Sequence, residues 1–279
     1  MPTFHNIIAY KFIDLDLLPL LQADMHDALS NTGVLGTVLL ANEGINVALA
    51  GTEAHIQQAR DWFANDRRFA DLWFKESVST FLPFSKLKVR IRHEIIAFDG
   101  GITKPLKTPA PNLAPDQLKQ WLDEGRAFTL LDTRNRYEVE SGTFKRAVAL
   151  DIDTFRDFTE AAGALDPDIK AQPVVTFCTG GVRCEKAAPW MLQNGFKEVY
   201  QIEGGILNYL EQCGGEHWQG DCFVFDDRVE VDARLAETGA LLCPNCHRAV
   251  PAEEHDVEPF TSGNGCRGCH TKALTSAEA

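Results

Sequence analysis

Between residues 99 and 117 the chain reads DGGITKPLKTPAPNLAPDQ, with four prolines and two glycines in 19 positions. Proline has no backbone N–H, fixes its own φ and drives the residue before it out of the helical region. Neither a helix nor an interior strand crosses such a stretch. The 279 residues must therefore be assembled from two bodies joined by an extended connection. The expected division is an N-terminal domain over 1–98, a linker over 99–114, a second domain over 115–215 and a C-terminal segment over 216–279.

The two sides of the break carry different patterns. Before it, HNIIAYKFI (5–13), VLGTVLLA (34–41), INVALAG (45–51), DLWFKESV (71–78) and KLKVRIRHEIIAF (86–98) read as strands. LLPLLQADMHDALSN (17–31) and the Thr52-capped TEAHIQQARDWFAN read as helices with their apolar residues on one face. The order β-α-β-β-α-β-β predicts a ferredoxin-like α+β domain with an added strand. After the break, strand and helix alternate: a helix over 115–124, AFTLLDTR (127–134), a short strand within 143–151, PVVTFC (173–178), a helix over 184–194, EVYQIEGG (198–205) and a helix over 206–213. Such alternation predicts an α/β domain on a parallel sheet, which binds ligands at the C-terminal ends of its strands. Cys178 stands at such an end.

Two further features bound the function. The formal net charge is −13, divided as −1 over residues 1–110, −5 over 111–215 and −7 over 216–279. An acidic chain repels nucleic acid at long range, so any such contact needs a local basic patch. The eight cysteines all lie at or beyond residue 178, six of them beyond 200, which points to reactive or metal-binding thiols in a reducing compartment. No run of 18 apolar residues is present, and the N-terminus lacks a basic n-region and a small-residue cleavage site. No membrane contact is expected, and a cytoplasmic location follows.

The stretch FCTGGVRCEK (177–186) sets Cys178 between a strand and a helix, followed by Thr179, Gly180, Gly181, Val182, Arg183 and Cys184. Two glycines let the backbone curl until its N–H groups face the sulfur. The helix N-terminus and Arg183 add positive charge, and together these lower a cysteine pKa. The same cradle suits a persulfide, which is also anionic. The alternative is a buried core cysteine before a tight turn. Cys184 either resolves an oxidised or persulfurated Cys178 as a disulfide or packs as an ordinary helix residue.

Cys243, Cys246, Cys266 and Cys269 form C-x2-C-x19-C-x2-C, the spacing of a closed tetrahedral thiolate site, for which zinc is the expected metal and a structural role the expected function. Four free thiols, or two disulfides in an oxidised sample, are the alternative. Cys213, His217 and Cys222 are near one another in sequence but read as separate packing and surface residues. In SKLKVRIRHEI (85–95), Lys86, Lys88, Arg90 and Arg92 alternate with aliphatic residues, so all four cations fall on one sheet face. That row is either a phosphate-tracking stripe or a solvated strand face.

Residues 115–212 resemble a rhodanese domain, through LLDTRNRYEVESGTFKRAVAL and the six-residue loop from Cys178 to Arg183. The resemblance implies that Cys178 is the persulfide-carrying nucleophile, Arg183 its loop partner, and Asp132 and Arg134 supports of the pocket. The whole order is more specific: ANEGIN (41–46), FLPFSKLKVRIRHEII (81–96), FCTGGVRCEKAAPWM, GDCFVFDDRVEV (220–231) and the paired CxxC. In that order the chain is similar to the bacterial rhodanese-type tRNA uridine-34 hydroxylases, with Val47-Ala48 where the family usually has Gly-Thr. This implies an oxidoreductase that acts on the anticodon region of tRNA with molecular oxygen as co-substrate. No flavin or haem motif is seen. A sulfurtransferase that carries a cysteine persulfide is the competing expectation, and a non-catalytic adaptor a third.

Overall fold

Period-two alternation of aliphatic residues builds the N-terminal sheet. The computed structural model describes residues 3–98, 109–258, 260, 261, 263 and 265–269. Within it, β1 (Phe4–Phe12), α1 (Leu18–Thr32), β2 (Leu35–Ala41), β3 (Gly44–Gly51), α2 (Glu53–Asn65), β4 (Lys75–Ser79) and β5 (Leu87–Ile91) follow in order. The sheet runs β4-β1-β3-β2-β5, the ferredoxin-like arrangement with β5 added parallel to β2 at the edge. Ile7, Ala9, Val38, Leu40, Val47, Leu49 and Val89 pack against Leu21, Met25 and Leu29 of α1 and Ile56 and Phe63 of α2. Thr52 caps α2, its hydroxyl accepting the His55 N–H at 3.3 Å.

Two strands are shorter than their sequence patterns. The strand expected over 71–78 begins at Lys75, because 67–71 form a turn. The strand expected over 86–98 ends at Ile91. Beyond it the chain leaves the sheet and turns toward the second domain: Ile95 donates its N–H to Glu43, and Ile96 gives its carbonyl to Lys186.

Since one sheet face is covered by helices, the other presents the alternate residues. In pairing register they form two rows: Lys75, Ile8, Ala48, Thr37 and Lys88, and beside it Tyr10, Asn46, Leu39 and Arg90.

The second domain contains β6 (Asn112–Leu113), α3 (Pro115–Asp123), β7 (Thr129–Asp132), α4 (Arg136–Ser141), β8 (Gly142–Phe144), β9 (Val148–Ala149), α5 (Phe158–Gly163), α6 (Pro167–Ala171), β10 (Pro173–Phe177), α7 (Cys184–Gln193), β11 (Glu198–Ile202) and α8 (Gly205–Cys213). Its sheet, β6-β11-β10-β7-β9, is parallel throughout, with a core on each face. Residues 99–108 of the expected linker lie outside the described residues; its last part supplies edge strand β6.

Chain beyond 215 continues this packing. β12 (Trp218–Gly220) pairs with β8, and β13 (Cys222–Phe223) with β14 (Glu230–Val231). Trp218, Cys222 and Val231 share a core with Phe144, Phe177 and Tyr209. The loop between β13 and β14 then reaches the N-terminal domain. Asp227 donates its N–H to Pro83 at 3.0 Å, and Arg228 a guanidinium N–H to Ser77 Oγ at 2.8 Å. A hairpin of β15 (Leu241–Leu242) and β16 (Ala249–Val250) carries part of the cysteine-rich tail, tied to α4 by Arg248 and Glu140. Among the described residues no helix is long and apolar enough to cross a membrane.

Candidate active site

β10 ends at Phe177 and delivers Cys178 to the C-terminal edge of the parallel sheet. The loop that follows is held from beneath by α8, whose Ile206 and Leu207 donate their N–H groups to the carbonyls of Cys178 (2.9 Å) and Thr179 (3.1 Å). Only glycine fits at Gly205: its φ is +69°, and a Cβ there would lie 2.4 Å from the Cys178 carbonyl oxygen. At the tip, Gly181 has φ +98° and donates its N–H to the Cys178 sulfur at 3.2 Å.

Cys178 and Cys184 are both fully buried, yet they titrate in opposite directions. Burial pushes the Cys178 thiol up, but the hydrogen bond from Cys184, the Arg183 guanidinium and the N–H groups of Arg183 and Gly181 outweigh it and bring it down to about 5. Burial and the neighbouring Cys178 anion push Cys184 well above the usual thiol range. At neutral pH the pair is therefore one thiolate and one thiol.

Arg183 is shared. Its guanidinium makes a two-point ion pair with buried Glu138, at 2.6 and 2.7 Å, while it acts on Cys178. Burial opposes ionisation of Glu138, but the Arg183 charge and hydrogen bonds hold its carboxyl below the usual range. Asp132 and Arg134 form a second buried pair at 2.6 Å, fixed to Thr143 and to the Gly142 carbonyl. They brace the strand end and do not line the cavity.

The loop faces the N-terminal sheet. A cavity of about 500 Å³ lies between them, within the range of roughly 300–1,000 Å³ usual for small-ligand pockets. Cys178, Thr179, Gly180, Val182 and Arg183 form one wall; Ile8, Tyr10, Thr37, Leu39, Asn46, Ala48 and Lys75 form the other. Asn135, whose buried Oδ1 has no hydrogen-bond partner, also lines it. Phe225, 61% exposed, stands at the margin with its ring 5.7 Å from the Arg183 guanidinium.

The domains are locked by residues that flank the loop. Buried Lys186 bonds Glu43 (2.9 Å), Glu94 (2.7 Å) and the Ile96 carbonyl (3.0 Å). Tyr10 donates its hydroxyl to Glu185 at 3.1 Å. Lys75 is different. Only 6% exposed, it stacks over Trp73 (4.6 Å) and Tyr10 (5.2 Å) and has no hydrogen-bond or ion-pair partner among the described residues. Burial pulls its amine down to about 8, against the charges of Cys178, Glu185 and Glu203.

Lys88 and Arg90 lie within β5, beside cavity-lining Thr37 and Leu39. Lys86 and Arg92 flank the strand, still bonded to β2 through the Lys86 carbonyl and the Arg92 N–H. None of the four has an ion-pair partner among the described residues.

In the tail, the sulfurs of Cys243, Cys246, Cys266 and Cys269 all lie within 4.8 Å of one another. Three separations are 3.8 Å (Cys243 to Cys269), 3.6 Å (Cys246 to Cys266) and 3.8 Å (Cys266 to Cys269). Four thiolates at about 2.3 Å from zinc define a tetrahedron with edges of about 3.8 Å, so the cluster fits such a metal. The other three candidates do not assemble. His217 pairs with Asp123, Cys222 is buried with its thiol pushed up to about 12 by burial, and Cys213 lies on α8.

Glu138, Lys75, Tyr10, Glu185 and Phe225 were not evident from the sequence. Glu138 reads as the end of a capping box on Asn135, which it also is. The rest belong to the site only through contact between the domains or with the C-terminal segment, which local pattern does not encode.

Residues 4–95 match the family model described as UPF0176 acylphosphatase like domain, and residues 114–212 the rhodanese-like domain. Over nearly the whole length the chain is similar to proteins named tRNA uridine(34) hydroxylase. That of Cupriavidus necator is 44% identical over 269 residues, 95% of each chain. That of Bordetella petrii is 46% identical over 246 residues, 86% of this chain and 98% of the relative. That of Ralstonia nicotianae is 44% identical over 269 residues, 95% of each.

Proposed function

This chain belongs to the tRNA uridine(34) hydroxylase family, and from that premise we propose that it converts uridine 34 of tRNA to 5-hydroxyuridine in the cavity between its domains, with Cys178 as nucleophile. The observation that carries the reading is where the thiolate points. Cys178 opens on a cavity whose far wall is a sheet face edged by cations.

Adjacent strands lie about 4.8 Å apart, so Lys88 stands about 19 Å across the row from Lys75. In this reading the backbone of the anticodon loop follows Lys86, Lys88, Arg90 and Arg92 outside, while one base is turned inward. Loop bases are already unpaired, which keeps the cost of extruding one low. Exposed Phe225 offers a stacking surface for a neighbouring base.

The chemistry follows from the thiolate. Sulfur adds to uracil C6, the C5=C6 electron pair moves toward O4, and C5 becomes electron-rich. Replacement of C5–H by C5–OH with dioxygen yields one water and consumes two electrons and two protons. Cys178, once released from the base, and Cys184, its hydrogen-bond partner, supply the two electrons as they join in a disulfide; one proton comes from Cys184 and the other from solvent, and an external thiol must reduce the disulfide before the next turnover. Arg183 keeps Cys178 ionised, Glu138 holds Arg183, and the Asp132–Arg134 pair supports the strand end. Zinc in the four-cysteine cluster would hold the tail together, a structural role.

The test is mass spectrometry of tRNA nucleosides from a strain lacking the gene, complemented with wild type or Cys178→Ala. Wild type should restore 5-hydroxyuridine and the variant should not. Full 5-hydroxyuridine with Cys178→Ala would overturn the assignment. Restoration by neither, together with sulfur transfer from thiosulfate to a thiol by the purified protein, would make it a sulfurtransferase instead.

A further inference from the structure

Among the described side chains that line the cavity, Lys75 is the amine left without an acceptor. It belongs to β4 and is carried inward by the register that pairs it with Ile8, and Ile8 is the residue that touches the Cys178 loop: its Cδ1 lies 3.1 Å from where a Gly180 Cβ would be. The aliphatic stem and the amine are enclosed by the rings of Tyr10 and Trp73, which offer π-faces and no lone pairs in the plane of a hydrogen bond. Glu185, whose charge reaches Lys75, accepts the Tyr10 hydroxyl and is not bonded to the amine. A buried ammonium without an acceptor costs free energy. On the helix-facing side of the same strand pair Ile7 packs in the core and Glu76 is paired with Arg60 of α2, whereas Lys75 has no such partner among the described residues.

The geometry points to Lys75 as the hydrogen-bond donor to O4 of the pyrimidine held in this cavity, the group that takes up negative charge when Cys178 adds to C6. This rests on the reading of Cys178 as a nucleophile toward uracil. C6, C5, C4 and O4 lie along one edge of the ring. A site that addresses this edge needs a nucleophile at one end and a cation or donor at the other, and the cavity supplies Cys178 and Lys75. In the step itself the sulfur lone pair forms the S–C6 bond, the C5=C6 π pair becomes the C4–C5 π bond, and the C4=O4 pair comes to rest on O4. No oxidant is consumed. Lys75 donates to O4 as that charge develops, which is the role of a fixed donor at an oxyanion. In the absence of oxidant the adduct takes a proton at C5 and reverses, so the original C5 hydrogen exchanges with solvent.

The exchange is measurable. Full-length protein is mixed in oxygen-free buffer with a tRNA transcript carrying 5-deuteriouridine at position 34, and loss of deuterium is followed by mass spectrometry. Wild type should wash out the label and Cys178→Ser should not. Lys75→Met should slow the exchange by about 100-fold or more, as removal of an oxyanion donor does, with tRNA affinity unchanged. Lys75→Gln, which keeps a neutral donor, should fall between them. If wild type binds the tRNA without exchange, addition at C6 fails and Lys75 loses its role with it. If wild type exchanges and Lys75→Met exchanges equally fast, the nucleophile stands and the assignment of Lys75 is overturned. Equal losses in Met and Gln, matched by lost tRNA binding or lost thermal stability, would overturn it in favour of packing.

Discussion

At the scale of single residues, the site depends on an anion kept in a buried place by four unequal contacts: a thiol, a guanidinium and two backbone amides. Cys178 is brought down to about 5, whereas in an unfolded chain it titrates near about 8.5. Between those values the unfolded chain binds a proton that the folded chain does not, so this group's contribution to stability grows as pH rises through the window and is lost as pH falls toward 5. The stability of wild type minus that of Cys178→Ser, from urea melts, should therefore increase from pH 5 to pH 8, and the alkylation rate should already be near its plateau at pH 7. A difference that stays flat across that range would mean that the sulfur is not ionised in the folded protein. Glu138 belongs to the same balance. Glu138→Gln would leave Arg183 buried beside a single anion, and loss of one partner of a buried pair costs about 3–5 kcal/mol. A melt that shows less than about 1 kcal/mol of loss would place Arg183 in solvent instead.

At the scale of elements, two sequence motifs that are far apart in the chain turn out to be one structure. The turn between β2 and β3 carries Glu43, and the first turn of α7 carries Lys186; they meet at 2.9 Å, with Glu94 on the other side of the amine. ANEGIN and CTGGVRCEK thus build the seam along which the cavity opens. Lys186→Met would bring two half-buried carboxylates together without their cation. A loss of roughly 2–4 kcal/mol is expected, with faster amide exchange at the seam than in the helix-covered core. Loss of stability without that localised exchange would argue that the seam does not hold the domains. Much of this level was legible beforehand. The period-two strands, the Thr52 cap and the strand-loop-helix around Cys178 are local, and local pattern encodes them. The early end of β5 was not, because KLKVRIRHEIIAF alternates well beyond Ile91 and only the competing contacts of Ile95 with the Glu43 side chain and of Ile96 with Lys186 of the other domain end the strand. Lys75 was invisible for the same reason. Its burial is created by Trp73, Tyr10 and a loop about 100 residues away.

At the scale of the whole molecule, the question is how a chain with a net charge of −13 can hold a polyanion. The charge is mostly carried by the second domain and the tail, and the N-terminal domain is close to neutral. On that near-neutral background Lys86, Lys88, Arg90 and Arg92 form a local exception, unpaired among the described residues and set at the open edge of the sheet that walls the cavity. If they track phosphates, each contact releases counterions, and log affinity falls with log salt by about 0.7 per neutralised phosphate on a single strand. Wild type and Lys88→Ala/Arg90→Ala should then differ in slope by about 1.4, and the variant should bind more weakly at low salt and converge with wild type as salt rises. The fold should be unaffected, since Lys88 is half-buried, Arg90 is exposed and neither makes an ion pair among the described residues. Parallel salt plots would show that the cations are solvated and that the tRNA enters over another face. In that case the deuterium exchange at C5 would remain as the independent measure of whether a base reaches Cys178.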